Sequence, residues 1–164
     1  MDDADIKVDA DSTIEPKIEE VFGRKVALAM NAIDWKFKEI GMKVIYKFTE
    51  KYLDVQNQQE QTVAIEDLAQ ACAMAVGSTC KEKVIKVFTI SLQLLNLLVS
   101  STKIEKSGAT QALRNTIVER NVVFKLLQKS EEGNTRITNK IHESLLDLSF
   151  NPEVGEALTS SFIL

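Results

Sequence analysis

Little in this 164-residue sequence interrupts a helix: it has six glycines and two prolines, and apolar and polar residues almost never alternate over the length of a strand. Scarce turn formers and a missing two-residue period exclude a sheet-based fold and predict an all-helical one. Two cysteines, Cys72 and Cys80, are too few for a disulfide framework, and with the single His142 they are too few for a zinc site. No apolar run approaches the roughly eighteen residues of a spanning helix. The acidic, polar start does not read as a secretory signal, so a reducing, cytoplasmic setting is expected. A glycine-rich phosphate loop, a Gly-x-Ser-x-Gly turn and a metal-binding helix motif are all missing. His142 has no acid, base or nucleophile at catalytic spacing around it. The sequence is therefore read as a non-enzyme with no cofactor and no metal.

Charge is unevenly spread. The chain has 20 Lys+Arg against 24 Asp+Glu, a net of -4, yet its first twenty residues hold eight of those acids and only two lysines. The remaining residues carry 18 basic and 16 acidic side chains and are close to neutral. A segment so acidic and so poor in aromatics buries too little to offset ordering entropy, so residues 1–14 are expected to be a flexible leader to a domain over 15–164.

Apolar residues recur at three and four through most of that domain. A helix is predicted to open at Pro16 and run past Met30, and a second spans Trp35 to Leu53, with Phe37, Ile40, Val44, Ile45, Phe48 and Tyr52 as its inner face. A third runs from Val63 to Ser78 and a fourth, the most apolar, from Lys81 to Ser101. Ser100 to Lys106 reads as a connector, followed by one long helix from Ser107 to Lys129 with Phe124 in its stripe. Asn134 is the N-cap of the next helix and Asn151-Pro152 opens another. Cys72 lies on an apolar stripe as a small hydrophobe, whereas Cys80 is placed in an exposed turn. Met30, Met42 and Met74 read as gap-fillers.

Short turns at Asp34, at Cys80-Lys81 and at Asn134 alternate with longer connectors, which pairs the helices into three stacked hairpins at the spacing of HEAT and armadillo units. The expected fold is an α-solenoid of about three HEAT-like repeats. Its apolar end, Ser161 to Leu164, caps poorly and suggests the front part of a longer array. Stacking sets successive short turns along one edge, so Trp35, the lysine pairs Lys36/Lys38 and Lys81/Lys83, and Arg136 of the Asn134-Thr135-Arg136 turn are expected on one ridge, basic with an aromatic at its end. Such a ridge suits an acidic protein surface. The near-neutral domain offers no nucleic-acid recognition pattern.

Several segments resemble the TOG domain family. Phe22-Gly23, Trp35 with Lys38-Glu39, and Ile45-Tyr46-Lys47 look like the first repeat of a TOG domain. Val21-Phe22-Gly23, Val87-Phe88 through Ser91-Leu92-Gln93-Leu94-Leu95, and Asn134-Thr135-Arg136-Ile137 leading to Asn151-Pro152-Glu153-Val154 are most like the ciliary-tip centrosomal protein of 104 kDa family. The resemblance implies a HEAT-repeat domain that binds curved, unpolymerised αβ-tubulin through its intra-repeat turns. It makes Trp35 the anchor, with Lys36, Lys81, Lys83, Asn134 and Arg136 around it. It also implies work at microtubule ends, at the centriole, basal body or cilium tip, with other parts of a parent protein meeting ciliary-tip or centriolar proteins. A complete TOG domain has about six repeats, so a domain truncated at its C-terminus is expected. Two other readings remain open: a HEAT- or armadillo-type adaptor that holds a peptide or partner helix on its concave face, and a structural role through self-association. No membrane partner is expected.

Overall fold

The computed structural model describes residues 5–56 and 61–150. Among these residues nine helices follow in chain order: α1 (Pro16–Phe22), α2 (Arg24–Met30), α3 (Trp35–Leu53), α4 (Ile65–Thr79), α5 (Ile85–Ser100), α6 (Thr102–Ser107), α7 (Thr110–Glu119), α8 (Val122–Ser130) and α9 (Thr135–Phe150). They form two layers. α1, α4 and α7 pack side by side in one, and α3, α5 and α9 in the other; α2 with α3, α4 with α5 and α8 with α9 join the layers as three hairpins. This is the predicted α-solenoid. α5 lies between α3 and α9 with α4 behind it, which is why its Val87, Phe88, Leu94, Leu95 and Leu98 are all buried.

Local chemistry sets the ends of the helices. Pro16 opens α1, where the amide it lacks has no partner to lose. Asp34 caps α3 by accepting the Lys36 amide at 3.0 Å, and Asn134 accepts the Ile137 amide at 3.3 Å as predicted. Two of the predicted helices are broken. Gly23, at φ 95°, separates α1 from α2. The helix predicted over Ser107–Lys129 is interrupted at Asn121, whose φ of 52° lies in the left-handed region that Asn tolerates, and the predicted connector after Ser100 carries α6. Phe124, expected inside, is 55% exposed after that break. The cap predicted at Asn151-Pro152 and the apolar end lie outside the described residues.

The inner face of α3 also differs from the simple stripe. Met42, Ile45, Thr49, Tyr52 and Leu53 are buried, while Ile40, Val44 and Phe48 are about two-fifths exposed. The helix is covered on two flanks, by α2 and by α5, so its buried arc is rotated from the one a single contact face predicts. Phe48 meets Phe22 edge to face, with ring centroids 5.5 Å apart. Of the methionines, Met30 and Met42 are buried and Met74 is packed against the core.

The acidic leader is not free along residues 5–14. Ile6 is buried, and Val8 forms an antiparallel bridge with Ala32. The Asp9 amide donates to the Asn31 carbonyl at 3.0 Å and the Ile33 amide to the Lys7 carbonyl at 2.9 Å. The turn after α2 has backbone groups that need partners, and the leader supplies them. An average over a charged segment misses the Ile-Lys-Val core that does this.

Arg120 ties the first layer together. Its stem lies over Gly77 of α4, and its guanidinium donates to both carboxylate oxygens of Glu15 at the head of α1, the second contact at 3.2 Å. A Cβ at position 77 would sit 2.8 Å from the Arg120 Cβ, an atom that moves only with the backbone. Gly77→Ala is therefore expected to destabilise the fold by about 1–3 kcal/mol as overpacking, although the same change in a roomy helix interior stabilises by up to ~1 kcal/mol. Urea unfolding followed by circular dichroism reads the sign directly.

Candidate protein-docking edge

Stacking the hairpins aligns the starts of three helices. α3, α5 and α9 begin at residues 35, 85 and 135, a spacing of fifty residues in each case. Their first positions are Trp35, Ile85 and Thr135 and their second positions Lys36, Lys86 and Arg136. Contacts between neighbouring hairpins place these starts on one edge. The Lys86 ammonium lies 5.9 Å from the centre of the Trp35 ring, and the Lys38 ammonium bonds the Glu82 carboxylate at 2.8 Å, linking the first turn to the second. Lys129, buried at the end of α8 and 5.5 Å above the Phe88 ring, links the third turn to α5 while its ammonium holds Glu132 at 2.9 Å. The Thr138 hydroxyl donates to the Ser130 carbonyl at 2.8 Å and closes that turn.

The predicted residues fall on this edge with different standing. Trp35 is half-buried: one side packs on the core while the other meets Lys86. Lys36, Lys81, Lys83, Asn134 and Arg136 are exposed, and among the described residues none of the four cations has an ion-pair partner. Lys81 and Lys83 lie in the turn ahead of α5, out of register with Lys36 and Arg136. The residue in register is Lys86, which the turn-centred reading missed; counting from each helix start rather than from each turn finds it. Ile33, at the tip of the first turn, was missed as well, and at 69% exposure it extends the apolar surface beside Trp35.

The exposed cations make the edge electropositive, whereas the partial positive charges at the amino ends of α3, α5 and α9 lie beside the carboxyl ends of α2, α4 and α8 in the same turns and are offset by them. The leader brings Asp9 and Asp11 near the first turn, a local counterweight that the sequence placed in solvent.

Elsewhere the residues are structural. Cys80, expected in an exposed turn, is fully buried after α4, and burial pushes its thiol up to about 11 against the opposing charges of Lys125 and Lys81. Cys72 is buried against the Thr49 hydroxyl at 3.1 Å and burial pushes it up to about 12. Neither thiolate forms near neutral pH, so neither thiol is an activated nucleophile. His142 is exposed on α9. Among the described residues no group of three His, Cys, Asp or Glu side chains is placed to hold a metal ion, and no helix is long and apolar enough to cross a membrane. Trp35 is the single tryptophan, so its fluorescence reports on the edge alone. Iodide, drawn by Lys86, is expected to quench it more than caesium does at equal ionic strength, and Lys86→Gln to narrow that gap.

No protein-family model matches this chain, and no curated protein matches it by sequence. Solved structures do match. The TOG domain of human Cep104 superposes with a TM-score of 0.66 at 18% identity, covering 84% of this chain and 51% of that one. A second structure, of the CEP104 TOG domain, gives the same score and identity and is covered over 52%. The chain thus spans about half the length of the domains it matches. Over that half, its two layers of paired helices have the fold of a TOG domain.

Proposed function

We propose that this chain is a non-catalytic tubulin-binding module that docks αβ-tubulin edge-on through its intra-repeat turns. The observation that carries the reading is the alignment of Trp35, Ile85 and Thr135, with Lys36, Lys86 and Arg136 beside them, along one edge of a TOG-like fold. A half-buried indole with solvent-exposed cations beside it suits a partner with an apolar pocket and an acidic surround. Trp35 is the anchor. Lys36, Lys86 and Arg136 steer, Lys81 and Lys83 contribute from the second turn, and Asn134 offers a hydrogen bond at the third. In a parent protein this module acts at microtubule ends in the cytoplasm, at the centriole, basal body or cilium tip, while other segments meet ciliary-tip or centriolar proteins.

The test is co-elution of the chain with soluble αβ-tubulin on size exclusion. Complex is expected at about 50 mM salt and its loss at about 300 mM, where the screening length has fallen from about 14 Å to about 6 Å and the attraction of the cations is damped. Trp35→Ala is expected to weaken binding at least tenfold, or ~1.4 kcal/mol, with the helical circular dichroism unchanged. Combined Lys36→Glu, Lys86→Glu and Arg136→Glu is expected to abolish it. A charge-reversed chain that still co-elutes would rule out docking through this edge.

A further inference from the structure

The same layer carries a second surface at its opposite end. α3, α5 and α9 all finish there, at Leu53, Ser100 and Phe150, and between them runs a groove of about 850 Å³. Tyr46, Leu97, Val99 and Phe150 contribute its apolar lining, Phe150 being 75% exposed. It continues through Leu97 and Ser100 into a second hollow of about 460 Å³ beside Glu50 and Asp54. Gln93 and Asn96, three residues apart on α5 and so on one face, are exposed into the groove and their amides bond no other described side chain. A side-chain amide offers both a donor and an acceptor, which is what an extended backbone requires.

Charge selects the occupant. Glu105 and Asp147 line the groove, and Glu50 and Asp54 line its continuation, while no Lys or Arg lines either among the described residues. Residues 57–60 and 151–164 contain no Lys or Arg in sequence. The nearby Lys103 ammonium is held by the Tyr52 carbonyl at 3.1 Å.

We infer that this groove binds an extended, Lys- or Arg-rich peptide segment of a partner protein, with Gln93 and Asn96 bonding its backbone and Glu50, Glu105 and Asp147 its side chains. The surface is separate from the cationic edge and does not rest on tubulin binding.

The probe is a fluorescein-labelled octapeptide of alternating Arg and Ser, titrated with the full chain by anisotropy, with a Glu-Ser octapeptide as its counterpart. Saturable binding of the Arg peptide alone is expected, weakened by salt. Glu105→Lys with Asp147→Lys is expected to lower its affinity at least tenfold while circular dichroism and tubulin co-elution stay as in the unsubstituted chain. Asn96→Ala is expected to lower it about threefold without changing the salt dependence, and Asp9→Asn with Asp11→Asn in the leader to leave it unchanged. Equal binding of both peptides, no binding, a loss confined to the leader variant, or a dimer of the chain that the Arg peptide fails to dissociate would each overturn the proposal.

Discussion

A single helical hairpin in this chain cannot bury its own apolar side, and the rest of the structure follows from how three of them solve that problem together. The cost of ordering the chain is met only when α5 has α3 on one flank, α9 on the other and α4 behind, because its leucines face all three. That requirement forces the three helices of its layer to lie parallel and their starts to share an edge. The contacts of Lys86 with Trp35 and of Lys38 with Glu82 then hold adjacent turns in register. The candidate edge is thereby a by-product of core burial rather than an addition to it.

Side-chain charge is unevenly distributed along this layer. Lys36, Lys86 and Arg136 gather at the turns, and Glu50, Glu105 and Asp147 at the groove. Each hairpin is antiparallel, so its backbone dipoles offset one another and the side chains set the preference of each end. A near-neutral domain can thus present two surfaces of opposite preference, which net charge alone conceals. An acidic partner and a basic one need not compete for it.

Helix identity was legible in the sequence because the apolar period survives wherever a helix has one principal contact. α3 and α9 begin where the capping residues Asp34 and Asn134 place them. The failures share a cause: they depend on neighbours distant in sequence. The arc buried on α3 is set by two flanking helices, and the break at Asn121 falls where Arg120 turns aside to reach Glu15. Cys80 is enclosed although the residues beside it are polar. The leader's bridge to Ala32 pairs segments that composition treats as unrelated. At the candidate edge Trp35, Lys36 and Arg136 could be read directly. Lys86 and Ile33 could not, since the first needs the fifty-residue register and the second needs to be seen at a turn tip with nothing behind it.

The proposed docking through three turns makes a particular demand on its contacts. Association costs several kcal/mol before any contact contributes, and an edge of three turns offers only a few contacts to offset it. Two kinds of interaction remain effective on so short an edge. One is a single desolvated anchor, because the energy of small interfaces concentrates in one or two aromatic residues. The other is long-range attraction, which raises the rate of encounter without requiring contact area. Trp35 is held half in the core, so little side-chain entropy is left for it to lose on docking. The cations are the opposite: exposed to solvent and, in the proposed docking, useful mainly before contact. Under the proposed docking, affinity at this edge divides into a salt-sensitive association rate set by the lysines and a salt-insensitive lifetime set by the indole, and those two quantities are separable by stopped-flow mixing even where the equilibrium constant is modest.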